Sequence, residues 1–137
     1  MKIVFTNGCF DVLHRGHIEY LKASKALGTR LIVGLNSDTS VKKLKPGRPI
    51  NNQEDRKAVL LALRFVDQVE IFDEDTPLEL IRYINPDVIT KGGDYKPEQV
   101  VGFGLVPQTV IIPFLDGYSS TRIINATQGN SGQGMGL

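Results

Sequence analysis

The sequence predicts a doubly wound α/β domain, a parallel five-stranded sheet with helices on both faces. Two observations carry this reading. Strand candidates alternate with helical segments along the chain, and right-handed crossovers build such alternation into a parallel sheet. Most of the strand candidates are short and nearly all apolar, as strands covered on both faces are.

The elements follow in order. Residues 2–6 (KIVFT) form a β-rich run that ends in Asn7 and Gly8. Ile18, Leu21, Ala23, Ala26 and Leu27 mark an amphipathic helix over 18–27, with Gly28 as its C-cap. Residues 30–35 (RLIVGL) read as a buried strand. Pro46, Gly47 and Pro49 make 36–52 a polar loop with one short helical turn. Asn51 or Asn52 caps a helix over 54–65 that partly buries Leu60, Leu61 and Leu63. Residues 68–72 (QVEIF) are the next strand. Thr76, Pro77 and Glu79 stand as N-cap, N1 and N3 of a helix that stops near Asn85 and Pro86. Residues 87–90 (DVIT) are a strand, 98–104 a short helix, 109–112 the last strand and 119–126 a terminal helix. One domain is expected over 1–128, with a flexible glycine-rich tail over 129–137.

Composition narrows the function. A chain of 137 residues is one domain by length. Lys and Arg number 16 against 15 Asp and Glu, a net charge of +1 that excludes a strongly basic nucleic-acid footprint. The single cysteine, Cys9, forms no internal disulfide, reads as a small buried hydrophobe and belongs to no zinc-type spacing. No run of 18 apolar residues occurs, and the N-terminus lacks the blocks of a signal peptide. The expectation is a cytoplasmic protein with small-molecule substrates, no nucleic acid and no membrane.

In parallel sheets of this kind ligands sit at the carboxyl ends of the strands. The polar, glycine-bearing segments fall there: Asn7 and Gly8, the run from Asn36 to Asp38, residues 91–94 and residues 114–121. Both histidines of the chain, His14 and His17, lie three residues apart where the first strand leads into the first helix. That spacing lets both rings face one side, and Gly16 between them permits close approach. Free amides at a helix start attract an anion, and imidazole donors beside them can hold phosphate oxygens during transfer. The plainer alternative is a pair of surface or capping histidines; zinc needs more ligands than the region supplies. A second constellation, Ser119, Ser120, Thr121 and Arg122, opens the last helix, where hydroxyls, amides and a guanidinium fork suit a phosphate. The alternative is an ordinary cap. A third, Lys42, Lys43, Lys45, Arg48 and Arg56, is either a solvated basic loop or a source of cations for phosphates. Asp94 is a hydroxyl acceptor or a plain turn residue. Phe10 and Tyr95 suit core or shelf positions. No side chain is set up as a covalent nucleophile.

Four segments in order, 7–17 (NGCFDVLHRGH), 36–44 (NSDTSVKKL), 91–95 (KGGDY) and 117–123 (GYSSTRI), resemble the cytidylyltransferase-like nucleotidyltransferases. Within them the match is to the D-glycero-β-D-manno-heptose 1-phosphate adenylyltransferases, and it runs over about 2–126. The resemblance implies a Rossmann-like sheet, ATP as co-substrate and Mg²⁺ bridging phosphates. It also implies transfer of AMP to the heptose 1-phosphate, with ADP-heptose and pyrophosphate as products for lipopolysaccharide or other surface-glycan synthesis. It assigns catalysis to His14, His17, Lys45 and Arg122. Nucleotide binding falls to Thr6, Asn7, Gly8, Phe10, Gly16, Arg56, Lys91, Gly92, Asp94, Ser119, Ser120 and Thr121. Acceptor binding falls to Asp11, Lys42 and Asp94, and no residue is assigned to a metal. Relatives are often dimers and often fused to a sugar kinase, so a homodimer and a heptose kinase partner stay open. Two alternatives remain: a glycerol-3-phosphate cytidylyltransferase with the same histidine core, and a non-catalytic nucleotide-binding regulator, which would be expected to have lost a histidine or the 119–122 segment.

Overall fold

The computed structural model describes residues 1–113. Among them are strands β1 (Ile3–Gly8), β2 (Arg30–Asn36), β3 (Gln68–Phe72), β4 (Val88–Gly92) and β5 (Gln108–Ile112). Between them lie helices α1 (Arg15–Lys25), α2 (Asp38–Leu44), α3 (Gln53–Leu61) and α4 (Leu78–Ile84). The strands form one sheet in the order β3-β2-β1-β4-β5, and every pairing is parallel. This is the doubly wound, Rossmann-like architecture that the alternation of elements predicts. The expected terminal helix at 119–126, the 119–122 segment and the glycine-rich tail lie outside the described residues.

Alternation along the strands divides the core in two. Val4, Leu31, Val33, Leu35, Val69 and Val88 pack with Leu21 of α1 and Leu60 of α3 on one face. Phe5, Ile32 and Ile89 pack with Ile81 of α4 and Val100 on the other. Successive side chains of a strand point to opposite faces, so strands that serve both layers must be apolar at nearly every position. Gly28 is needed at the start of β2 for contact, since a Cβ there would lie 2.6 Å from the Lys2 carbonyl oxygen.

The chain reverses direction across the sheet between β1 and β4. The backbone ladder between β1 and β2 runs from Ile3↔Arg30 to Gly8↔Leu35. The ladder between β1 and β4 covers only Val4↔Val88 and Phe5↔Ile89. Beyond Phe5 the register between the two strands stops, and their carboxyl ends flank the crevice that such a reversal of strand order makes. Ligands of open α/β sheets bind at such a switch point.

Several helices depart from the sequence reading. Residues 38–44, expected as loop with one turn, form α2, capped by Ser37, whose Oγ accepts from the Ser40 amide. Its buried face is only Ser40 and Val41, too little to show as an apolar stripe. Helix α1 starts at Arg15, earlier than its apolar pattern, because His14 caps it; it ends at Lys25 with Ala26, not Gly28, as C-cap. Helix α3 is capped by Asn52 and stops at Leu61, short of residue 65. Leu60 is buried there and Leu61 exposed. Helix α4 begins at Leu78 with Pro77 in the cap position and no side-chain cap, so Thr76 does not fill that role. The helix expected over 98–104 is a single 3₁₀ turn, Pro97–Gln99. Gly102 and Gly104 take positive φ, which a right-handed helix does not allow.

Candidate active site

Helix α1 begins with a reciprocal histidine cap. The Nδ1 of His14 accepts from the Gly16 amide at 3.0 Å, and the Nδ1 of His17 accepts from the His14 amide at 3.3 Å. The rings lie 4.0 Å apart, centroid to centroid. An imidazole that accepts at Nδ1 carries its proton at Nε2. Both rings are therefore held as neutral tautomers with the donor at the far nitrogen. Electrostatics agree with this. Burial, with the neighbouring His14 and Lys45 charges, pushes His17 down to about 4, and burial lowers His14 too. Capping spends one nitrogen of each ring and leaves the other nitrogen protonated. The structure thus shows the capping contacts at Nδ1, and these leave Nε2 as the donor that the phosphate reading requires.

Phe10 backs this pair. It is buried, with its backbone in the left-handed region at φ 45°. Its ring meets His17 edge to face with centroids 5.5 Å apart. Gly8 makes room for that ring, since a Cβ at Gly8 would lie 2.9 Å from it. A non-glycine residue at positive φ is strained and persists only where its surroundings hold it. Cys9, between them, is half-buried where the sequence predicts a small buried hydrophobe.

Two buried charges fix the loops beside the histidines. Arg56 is 2% exposed. Its Nε donates to the Asn51 carbonyl at 2.9 Å. One terminal nitrogen donates to the carbonyls of Cys9 and Asn36, both at 2.8 Å. The other meets the Asp38 carboxylate at 2.8 Å. One guanidinium thus joins the β1–α1 loop, the end of β2, the start of α2 and the loop before α3. Asp11 answers from the opposite side. Its carboxylate accepts from the Ile50 amide at 2.9 and 3.0 Å and from the Asn51 amide at 3.0 Å. Arg48 lies 4.0 Å away. Asn51 donates back to the Asp11 carbonyl at 2.9 Å.

The remaining expected residues divide by position. Lys45 is exposed at the C-cap of α2, close enough for its charge to act on His17. Gly16, in the first turn of α1, gives its amide to His14. Asn7 and Gly8 end β1, and Lys91 and Gly92 end β4; both pairs border the crevice. The Lys91 ammonium lies 5.2 Å from the Tyr95 ring centroid. Thr6 is fully buried, its hydroxyl bonded to the Tyr20 hydroxyl and the Thr90 carbonyl. Asp94 is exposed. Lys42 lines a cavity of about 300 Å³ with Asp38, Ile50, Asn51 and Asp55, on the β2 side of the histidines. Ser119, Ser120, Thr121 and Arg122 lie outside the described residues. Asp38 and Asn51 build this edge and carry no site assignment from the sequence; the polar run from Asn36 to Asp38 points to the first, and the second stands only as a candidate helix cap, a role that Asn52 fills. Among the described residues no three His, Cys, Asp or Glu side chains converge on a metal-binding arrangement.

Residues 5–126 match the family described as cytidylyltransferase-like. This chain belongs to that family. It is a nucleotidyltransferase. It is 58% identical over 130 residues to the bifunctional protein HldE of Wolinella succinogenes, covering 94% of this chain and 27% of that protein. It is 59% identical over 124 residues to the HldE of Campylobacter concisus, covering 90% and 26%. The chain thus spans about a quarter of the length of these curated relatives. Among solved structures, the lipopolysaccharide core biosynthesis protein from Thermoplasma volcanium superposes with a TM-score of 0.73 at 33% identity, over 85% of this chain and 99% of that one. Pantothenate synthetase from Thermus thermophilus shares the fold, with a TM-score of 0.56 at 16% identity over 84% of this chain and 56% of that one. In this cytidylyltransferase-like domain the described residues contain no helix long and apolar enough to cross a membrane.

Proposed function

We propose that this chain transfers AMP from ATP to D-glycero-β-D-manno-heptose 1-phosphate, giving ADP-heptose and pyrophosphate. The observation that carries the reading is the pair of neutral imidazoles whose Nδ1 atoms are spent on the helix cap. They are preset hydrogen-bond donors at a helix start, where phosphate oxygens are favoured. The four motif segments supply the choice of acceptor. The likeness to a protein of lipopolysaccharide core biosynthesis and to proteins described as bifunctional supports it. In that setting a heptose kinase would supply the sugar 1-phosphate.

An oxygen of the acceptor phosphate attacks the α-phosphorus of ATP in line. The bond from that phosphorus to the bridging oxygen breaks, and pyrophosphate leaves with the electron pair. A phosphate monoester is already ionised near neutral pH, so the attack needs no strong general base. The protein contributes position and charge stabilisation. His14 and His17 donate from Nε2 to oxygens of the triphosphate, and Lys45 adds a cation beside them. Thr121 and Arg122 complete the clamp. The Asp11 and Arg56 contacts hold the loop that follows Lys45. Mg²⁺, carried in by phosphate oxygens and water, would offset charge on the departing pyrophosphate.

The test measures pyrophosphate release with each nucleoside triphosphate and either heptose 1-phosphate or glycerol 3-phosphate. Release with ATP and the heptose is expected. Release with CTP and glycerol 3-phosphate alone overturns the reading. His17→Ala is expected to lower turnover by about 10²-fold. An unchanged rate would reduce the histidines to helix caps.

A further inference from the structure

A cluster of hydroxyls lies under the crevice where β1 and β4 part. Thr6, Ser24 and Thr90 are fully buried, and Tyr20 reaches in among them from α1. The Ser24 and Thr90 hydroxyls are 2.9 Å apart. The Thr90 and Tyr20 hydroxyls are 3.1 Å apart. Tyr20 also bonds the Thr6 hydroxyl, which donates to the Thr90 carbonyl at 3.3 Å. One direction of donation satisfies every proton: Ser24 to Thr90, Thr90 to Tyr20, Tyr20 to Thr6, and Thr6 to the carbonyl.

The position of the cluster gives it meaning. The β1–β4 ladder stops at Phe5↔Ile89, and Thr6 and Thr90 are the next residue on each strand. The hydroxyl contacts therefore begin where backbone pairing between the strands ends. One residue above them are Asn7 and Lys91, at the mouth of the crevice. Tyr20 and Ser24 follow His17 at positions three and seven along α1, which places all three on one helix stripe. A core does not need hydroxyls for stability here. Apolar side chains of the same shape fill such sites at little or no cost. What hydroxyls add is direction, because each contact is satisfied at only one separation of its partners.

We propose that Tyr20, with Thr6, Ser24 and Thr90, is a positioning device that sets the spacing between the histidines of α1 and the ends of β1 and β4. Thr6, expected among the nucleotide-binding residues, is fully buried with its hydroxyl bonded within the cluster, so in this proposal the cluster acts through His17 and not by touching substrate. The kinetic part of this proposal rests on the nucleotidyltransfer reading above; the structural part does not.

The experiment compares Tyr20→Phe, Thr90→Val and Thr90→Ser in the whole chain. Three quantities are read: the thermal midpoint, kcat and KM for the nucleotide, and the imidazole ¹⁵N shifts of His17 without ligand. Expected are a kcat loss of about tenfold in Tyr20→Phe and Thr90→Val, from displacement of the donor, with KM changed by less than about threefold and with altered His17 shifts. Thr90→Ser, which keeps the hydroxyl, is expected to restore both. Wild-type kcat and wild-type His17 shifts in Tyr20→Phe and Thr90→Val overturn the proposal, as does a Thr90→Ser protein as impaired as Thr90→Val. If Thr90→Val does not fold, Tyr20→Phe decides. If the wild-type protein releases no pyrophosphate with any substrate pair, the functional reading fails, and the His17 shifts alone decide the positioning.

Discussion

The two flanks of the histidine pair are held by different chemistry. Toward β2, buried charges do the holding, with Arg56 and Asp11 gripping backbone groups of loops. Toward β4, neutral hydroxyls do it, between elements that are already packed. The difference follows from what each flank lacks. The loop over residues 45–52 belongs to neither helix nor sheet, so its peptide groups need partners from elsewhere. A guanidinium, with five donors in a rigid fork, can serve several carbonyls at once. Helix α1 and strands β1 and β4 have satisfied most of their backbone groups internally. What remains open there is fine spacing, and short side chains with single hydroxyls suffice for that.

This contrast predicts unequal costs. Arg56→Ala should be the most damaging change, since it takes the guanidinium donor from three carbonyls and from the Asp38 carboxylate. A loss of about 3 kcal/mol or more is expected, read by denaturant unfolding. A loss under about 1 kcal/mol would show that the loops do not depend on the fork. Asp11→Asn keeps an acceptor for the loop amides and removes the charge facing Arg48. It should cost about 1–2 kcal/mol, and faster proteolysis within 45–50 should accompany it. If it destabilises as much as Arg56→Ala, the two charges act as one unit and their double variant should add little.

The histidines between the flanks give a pH test. His17 titrates near 4 in the fold and near 6.5 when unfolded. Above about pH 6.5 neither state is protonated and the group leaves stability unchanged. As pH falls from 6.5 toward 4, the unfolded chain takes up the proton first, so stability is lost; below 4 the loss levels off. His17→Asn should flatten this slope in denaturant titrations. An unaltered slope would mean that the ring is not held neutral. The smallest change should be Ser24→Ala, which removes only the first donor of the hydroxyl chain. It should cost about 1 kcal/mol or less, in contrast to Arg56.

Much of this was legible in advance. The strands stand out by their alternation with helical segments, and most of them by apolar side chains on both faces of the parallel sheet. The histidine pair stands out because its spacing and its place after β1 are local features. Helix α2 did not, because most of its side chains are polar and its cap, Ser37, looks like any loop serine. The segment after β4 suggests a short helix over 98–104, but Gly102 and Gly104 take positive φ there, and Gly102 is held close against the sheet. There a Cβ at Gly102 would lie 2.7 Å from Ile89.

The roles of Asp11 and Arg56 show where local reading stops. As a motif aspartate and a loop arginine they look like ligands of substrate and nucleotide. Folded, each spends most of its hydrogen-bonding capacity on peptide groups, some of them far along the chain: Ile50 is 39 residues from Asp11 and Cys9 is 47 from Arg56. Tyr20 and Ser24 carry no signal along the chain, since nothing local marks a helix tyrosine that will meet two strand threonines. Apolar periodicity, turn residues and the histidine spacing act over a few neighbouring residues, so one dimension suffices for the sheet, its order of elements and the edge that holds the site. The partner of a buried charge or hydroxyl is whichever group the fold brings within about 3 Å, and that distance exists only in three dimensions.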